Sequence, residues 1–342
     1  MSRPLFELVR YRLLEPLRWP ETIFWTFFFP AVLALALGIA FRQQQPEPAM
    51  VAVVAGPGAA ELEVALRRDP TVKVAVLDRA AADRALRLGK VAIQVVPGTP
   101  LRYRFDPTRP ESSLAHLTVE GAVQRSRGRR DPVATIAEPV TTRGTRYIDF
   151  LVPGLLGFNL MGGGLWGLGW AITEARTHKL LKRFLATPMR RRDYLLGHML
   201  ARLAFVPMEA VTLLLFAWLI FGVGVAGSLL SVAVVIVVGA LSFAGLGTLL
   251  ASRARTLETM SGLINLCTMP MLLLSGVFFS TSRFPDFMQP FIRLLPLTAL
   301  NEALRAIMGD GASLLAVGPQ LLVLVVWGVV SFLLALRLFR WA

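Results

Sequence analysis

Five stretches of this chain contain no charged residue, and each is long enough to cross a lipid bilayer. They cover residues 22–41, 150–173, 210–252, 259–282 and 311–336. A hydrocarbon core of about 30 Å requires about 20 helical residues, and the third stretch is long enough for two helices. The sequence therefore predicts an α-helical polytopic membrane protein with six spans, at about residues 22–41, 148–172, 199–221, 229–251, 259–280 and 313–336.

The basic residues predict the orientation of these spans. With a cytosolic N-terminus, the short cytosolic segments hold most of the arginines that flank spans, and the short outer loop at 223–228 holds none. This distribution follows the positive-inside rule, from which long translocated domains are exempt. We therefore expect a multi-pass protein of the bacterial cytoplasmic (inner) membrane with both termini in the cytosol. Because the net charge of +14 is concentrated beside spans, we expect no nucleic-acid partner.

Residues 1–21 are expected to form a cytosolic interfacial helix before the first span. Phe6, Val9 and Leu13 fall on one helical face, as in helices that lie in the headgroup plane. The apolar run at 22–41 has the length of a full span, which favours an uncleaved anchor over a cleaved signal peptide.

Residues 42–146 are predicted to form a small extracytoplasmic α/β domain between the first and second spans. Strand-like runs lie at 50–55, 71–77, 91–96 and 101–105, and helical stretches lie at 58–68, 79–88 and 111–127. This order of elements is typical of a small α/β fold. The segment has no glycine-rich phosphate loop and no His/Cys ligand cluster, so the sequence predicts no cofactor site in it.

Residues 147–342 then contain the five remaining spans, with a cytosolic loop at 173–198 and an outer segment at 282–310. The outer segment has two short amphipathic stretches separated by prolines. One interpretation is a re-entrant or interfacial pair of helices, and the other is an ordinary outer loop with surface helices. The single cysteine, Cys267, lies within a span and cannot form an intrachain disulfide.

The pattern G-x-x-x-x-G-K-S/T does not occur in this sequence, so the chain has no P-loop of its own. No metal-binding motif or catalytic constellation occurs either. The sequence therefore predicts a chain that is not an enzyme and that holds no cofactor.

The cytosolic loop carries the most distinctive pattern, TEARTHKLLKRFLATPMRRRDYLLGHM at residues 173–199, with seven basic residues. Apolar side chains form one patch and basic side chains lie on another face of a predicted helix at about 174–187. The candidate docking residues are Arg176, Lys179, Leu181, Lys182, Arg183, Phe184 and Leu185. Such a helix can lie in the groove of a partner protein. Alternatively, the segment contacts only anionic lipid.

Three polar residues inside predicted spans are candidates for a substrate path. Glu209 is an ionisable residue well inside a span, where such groups are often functional; the alternative is an ion pair with Arg202, seven residues earlier. Asn159 and Asn265 are the other candidates, and hydrogen bonds between helices explain them equally well. Gly163 and Gly167 have the spacing of a close helix contact.

The loop sequence KRFLATPMRRRDYLLGHMLARL, from residue 182, resembles that of permeases of the type-2 ABC exporter family. Three further segments resemble the same family, in the same order along the chain. They are YIDFLVPGLLGFNLMGGGLWGLGWA at 147–171, LSGVFFST at 274–281 and LLPLTALNEALRA at 294–306. Lys179 and Leu180 stand where the family commonly has Gly-Thr before the loop helix.

The resemblance implies a transport subunit whose energy comes from separate chains. Two P-loop ATPase subunits, which hold ATP and Mg, would dock on the loop helix, and a second permease copy would complete a homodimer or heterodimer. The expected function is efflux of an amphipathic, drug-like or lipid-like substrate across the bilayer, and a periplasmic protein is a further expected partner of the 42–146 domain. The alternatives are a membrane-anchored scaffold or receptor whose 42–146 domain binds an envelope partner, and an ion-driven transporter.

Overall fold

The computed structural model describes residues 10, 20–40, 48–129, 146–180 and 191–338. The interfacial helix predicted for residues 1–21 lies almost entirely outside these residues. The chain divides into two compact units, residues 43–139 and the remainder, and each unit is described by itself. The fold is mostly helical, with one small sheet.

The first described helix, α1, is interrupted by a π-helical turn. It consists of Pro20–Ile23, the π-helical turn Phe24–Phe28, and Phe29–Ala40. Its apolar part, Phe24–Ala40, is shorter than the long helices of the same unit.

The α/β unit has the order of strands and helices that the sequence predicts. The elements are β1 (Ala49–Val54), α2 (Ala59–Arg67), β2 (Val72–Leu77), α3 (Arg79–Arg87), β3 (Ile93–Val96), β4 (Arg102–Phe105) and α4 (Pro110–Ser126). The strand order is β2-β1-β3-β4, with β1 parallel to both neighbours and β4 antiparallel to β3. Asp78 caps α3 by accepting a hydrogen bond from the Ala81 amide at 3.3 Å.

Strand β1 is buried on both faces, as expected for a central parallel strand. Val51 and Val53 pack with α2 and α4 on one side of the sheet. Ala52 and Val54 pack with α3 on the other side. The two small cores give this unit a three-layer arrangement of helix, sheet and helix.

Among the described residues, five helices are long and apolar enough to cross a membrane. The unit that contains α1 has seven further described α-helices. They are α5 (Tyr147–Thr177, with a π-helical turn at Gly163–Gly169), α6 (Arg191–Phe221), α7 (Leu229–Arg253), α8 (Leu257–Leu274), α9 (Gln289–Arg293), α10 (Pro296–Asp310) and α11 (Gly318–Leu338). The five are α5, α6, α7, α8 and α11, at the places where the uncharged runs predict spans.

Glycines bring α7 close to two neighbouring helices at once. A Cβ atom at Gly247 would lie 2.1 Å from the carbonyl oxygen of Gly164 in α5, and one at Gly245 would lie 2.8 Å from that of Gly328 in α11. Both distances are shorter than any side chain tolerates, so these contacts require glycine. Because lipid provides no hydrophobic drive for helix association, such close packing is what holds spans together. Helix α7 is therefore the central helix of the unit.

The π-helical turn in α5 decides which of its glycines face α7. A Cβ atom at Gly167 would meet nothing within 4 Å, whereas one at Gly169 would lie 3.0 Å from the carbonyl oxygen of Gly247. Since π-helical hydrogen bonds join residues five apart, Gly164 and Gly169 share a face. The spacing of Gly163 and Gly167 predicted a close helix contact, and within this chain that prediction is wrong for Gly167.

The C-terminal end of helix α10 contacts the loop between α6 and α7. The amide of Ala226 donates to the carbonyl of Met308 at 2.9 Å, and the amide of Gly227 donates to that of Ile307 at 3.0 Å. These bonds satisfy two of the carbonyls that the end of a helix leaves without partners. The loop and the C-terminal end of α10 are therefore joined as one piece.

The N-terminal half of α10 reaches about halfway along the long helices. A Cβ atom at Gly239 of α7 would lie 2.7 Å from Leu300, and one at Gly157 of α5 would lie 2.1 Å from Asn301. Each glycine lies ten residues after the first residue of its helix, which corresponds to about 15 Å. Most side chains of α10 are buried, so this helix packs within the bundle.

The turn between α9 and α10 lies beside α11, at a similar distance from the end of that long helix. The indole Nε1 of Trp327 donates to the carbonyl of Leu294 at 2.8 Å. Trp327 lies nine residues after the start of α11, about 13 Å along the helix. The indole therefore supplies a hydrogen-bond partner to the irregular backbone between α9 and α10.

Replacement of Gly247 by alanine should destabilise the unit, because the new methyl group collides with main-chain atoms of α5 that cannot move aside. We expect a loss of about 1–3 kcal/mol, measured as a lower melting temperature in detergent or lipid discs. Gly262→Ala is the matched control, since a Cβ atom at Gly262 meets nothing within 4 Å. Equal melting temperatures for the two variants would contradict the contact.

Candidate functional site

The C-terminal end of α5 leads directly into the basic loop. Residues 174–177, expected to open the loop helix, instead continue α5, which ends at Thr177. His178 and Lys179 then form a turn, in which their amides donate to the carbonyls of Glu174 and Arg176 at 3.0 and 2.9 Å. The difference arises because no residue before His178 disrupts the helix. The loop helix expected from 174 therefore does not begin there.

Lys179 adopts a left-handed backbone conformation, with φ of 57°, and is exposed. It is the only non-glycine residue with positive φ among the described residues. Glycine is the usual residue at this position after a helix because a side chain costs about 1 kcal/mol there.

Arg176 points back toward the bundle. Its Nη1 atom donates to the carbonyl of Ala251 at 2.7 Å and also to that of Ala254. These carbonyls belong to the C-terminal end of α7, which finishes at Arg253. Arg176 is half-buried there, so its guanidinium is engaged within the chain.

The remaining docking candidates, Leu181, Lys182, Arg183, Phe184 and Leu185, lie outside the described residues. Their pattern stays a prediction. Leu180 is helical and exposed, and the described residues resume at 191.

Glu209 and Arg202 form an ion pair within α6. Both oxygens of the Glu209 carboxylate accept hydrogen bonds from the Arg202 guanidinium, one of them at 2.7 Å. Glu209 is 2% exposed, and the side chain of Arg202 is 11% exposed. The pairing matches the structural interpretation of Glu209 and places both charges away from solvent in the same contact.

The guanidinium of Arg202 rests on Gly163, where the π-helical turn of α5 begins. A Cβ atom at Gly163 would lie 1.8 Å from Arg202 Nη2, so a side chain at this position would displace the guanidinium. The ion pair therefore lies at the junction of α6 with the irregular part of α5.

The two asparagine candidates differ in their surroundings. Asn159 Nδ2 donates to the carbonyl of Thr26 at 3.1 Å, inside the π-helical turn of α1. This bond joins α5 to α1, as the hydrogen-bonding interpretation predicts. Asn265 is exposed on α8 beside Leu266 and Met269, which are 71% and 56% exposed. Within the described residues, no hydrogen bond or ion pair joins Glu209, Asn159 and Asn265 to one another.

Sequence reasoning missed a second buried polar cluster, around Arg305 of α10. Its guanidinium donates to the carbonyls of Phe150 (3.1 Å) and Gly276 and lies 3.6 Å from the centre of the Phe150 ring. Asn301 Nδ2 donates to the carbonyl of Ser275 at 3.0 Å. These residues belong to the segments at 147–171, 274–281 and 294–306. Three sequence segments that are far apart along the chain therefore meet in one place.

A further cap lies at the start of α5. Arg146 pairs with Asp149 through two hydrogen bonds of 2.8 and 3.0 Å and donates through Nη1 to the carbonyl of Phe221 at 2.9 Å. Phe221 is the last residue of α6. Arg146 therefore binds the C-terminal end of α6, which lies 75 residues later in the chain.

No group of three or more His, Cys, Asp or Glu side chains within the described ranges is arranged to hold a metal ion. The polar clusters of the membrane-spanning unit consist of ion pairs and hydrogen bonds to main-chain carbonyls. Such an arrangement positions helices against one another.

The chain is similar to a known protein family and to a known protein. The family described as ABC-2 family transporter protein matches residues 20–337. The chain is also similar to ABC transporter G family member 20 of Dictyostelium discoideum, with 26% identity over 207 residues. That alignment covers 60% of this chain and 28% of the relative. The chain therefore matches under a third of that protein's length.

The ion pair in α6 gives a prediction that separates its two interpretations. Glu209→Gln leaves Arg202 buried and unpaired, which should cost about 3 kcal/mol of stability. The double variant Arg202→Met, Glu209→Gln removes both charges and should recover most of that loss, measured by thermal unfolding in lipid discs.

With the single variant Arg202→Met added, these variants form a double-mutant cycle. Additive losses of stability in the double variant would contradict a structural pair. Recovered stability without recovered transport would assign a further role to Glu209.

Proposed function

The chain belongs to the ABC-2 family of transporter proteins, and we propose that it is the permease subunit of an ATP-driven exporter. The membrane component of this family is a transport subunit and is not itself catalytic. The observation that carries the proposal is the family match across residues 20–337, in a chain with five helices long enough to span a membrane.

In this proposal α1 is the sixth span. The apolar helix Phe24–Ala40 is shorter than the other five, and Pro20–Ile23 extends it to a length near that of a bilayer core. An even number of spans leaves both termini on one side, and the basic flanks favour the cytosol. The protein then lies in the inner membrane of a bacterium, with the 42–146 domain outside the cytosol and α10 as a re-entrant helix.

Separate P-loop ATPase subunits supply the energy, since this sequence contains no Walker A pattern. These subunits hold ATP and Mg and dock on the 173–198 loop. The exposed, left-handed Lys179 supports this proposal, because it turns the chain away from α5 at the start of the basic segment. Leu181, Lys182, Arg183, Phe184 and Leu185 complete the proposed docking surface.

A second permease copy, identical or homologous, completes the transporter. Large apolar side chains are exposed along α8, among them Leu266, Met269 and Leu273. Such surfaces require lipid or a second subunit. Asn265 lies on the same exposed face, which supports its place beside a path for an amphipathic, drug-like or lipid-like substrate.

The α/β unit contributes a separate proposed function. It has its own buried cores, so it can hold a fixed shape outside the membrane and hand substrate to a periplasmic partner. The same observation supports the alternative of an anchored scaffold or receptor. Coupling to ATP hydrolysis distinguishes the two, because only the exporter requires it.

The proposal predicts that the tagged chain, purified from membranes of its native host, retains a P-loop ATPase with vanadate-sensitive hydrolysis. Arg183→Glu with Phe184→Ala should remove the ATPase while membrane insertion stays normal. Arg255→Glu is the control, since Arg255 is an exposed basic residue outside the loop. A folded chain that retains no ATPase in any preparation would overturn the proposal.

A further inference from the structure

Arg176, near the C-terminal end of α5, donates hydrogen bonds to carbonyls at the C-terminal end of α7. The last carbonyls of an α-helix have no partners within the helix and carry partial negative charge. At the end of α7, the carbonyls of Ala251 and Ala254 both accept hydrogen bonds from Arg176 Nη1. A guanidinium suits this task because it presents several donors in a fixed plane. The cytosolic ends of α5 and α7 are thus joined by charge-assisted bonds.

The same two helices are in main-chain contact nearer their middles. Gly164 and Gly169 of α5 face Gly247 of α7 at distances that exclude a side chain. Sliding or rotation of α5 against α7 would separate these main-chain contacts and break the bonds of Arg176. Helices α5 and α7 are therefore expected to move as one body when the loop after α5 is displaced.

The N-terminal half of α7 and the loop before it contact α10. Leu300 of α10 fills the space above Gly239. The loop that precedes α7 is hydrogen-bonded to Ile307 and Met308 through the amides of Gly227 and Ala226. Since α7 contains 25 residues, it links the Arg176 contact to α10 over about 37 Å.

We propose that Arg176 is a positioning residue that transmits displacement of the 173–198 loop to α7 and, through α7, to α10. It acts within the chain, whereas Lys179, one turn further and exposed, belongs to the surface that contacts the ATPase. This inference rests on the proposed function, because the ATPase is the source of the displacement.

The test measures ATPase retention and α10 movement separately. Cys267 is the chain's single cysteine, so Cys267→Ala with Asp310→Cys gives one labelling site at the exposed end of α10. A membrane-impermeant maleimide reports the labelling rate of the purified complex without nucleotide and after trapping with ATP and vanadate. Arg176→Met, Arg176→Lys and Lys179→Met are compared in this background.

Arg176→Met should keep the ATPase in the complex and reduce the nucleotide-dependent change in labelling rate by about fivefold or more, the lower end of typical coupling. Arg176→Lys, which keeps a charge and a donor, should give a smaller reduction. Lys179→Met should instead lower the amount of ATPase retained. If Arg176→Met does not fold, the reduction in Arg176→Lys at full ATPase retention remains the measure.

Two results would overturn the inference. Loss of the ATPase from an Arg176 variant would make Arg176 a docking residue, and an unchanged nucleotide response would show that α7 is driven by another contact. If the unsubstituted complex contains no ATPase, the proposed function itself fails. An ATPase that is present and active but produces no change at position 310 refutes only the transmission to α10.

Discussion

The main constraint on the membrane-spanning unit is that main-chain carbonyls at the ends of its helices must find partners without water. Three arginines from other segments meet this need. Arg146 binds the last carbonyl of α6, Arg176 binds two carbonyls at the end of α7, and Arg305 binds a carbonyl just after α8. Each bond also fixes one element against another. The hydrogen bonds that satisfy these carbonyls therefore also hold the helices of the bundle together.

The closest helix contacts depend on one irregular segment. A regular α-helix over Gly163–Gly169 would turn the face of Gly164 and Gly169 away from α7, because α-helical neighbours are four residues apart. The π-helical turn restores a shared face at a spacing of five, and Gly247 then lies against both glycines. The position of α7, and with it the positions of α10 and α11, follows from this local change of helical geometry.

Sequence patterns predict the elements that depend on composition and on local spacing. Uncharged length predicted α5, α6, α7, α8 and α11, and alternation with turn residues predicted the strands and helices of the α/β unit. The contacts of Arg176 and Arg305 were not visible, because their partners are main-chain carbonyls, which every residue carries. The depth of α10 depends on Gly157 and Gly239, whose importance appears only when distant segments meet.

The buried pair of Arg202 and Glu209 follows from both constraints. An unpaired charge within a span is costly, and the carboxylate at 209 neutralises the guanidinium through two hydrogen bonds. The guanidinium in turn occupies the space above Gly163, which a side chain would otherwise fill. Because Gly163 begins the π-helical turn, the ion pair packs directly on the segment that sets the position of α7. Glu209 therefore acts on the helix arrangement through Arg202, and a role of Glu209 in a substrate path would require this pair to open.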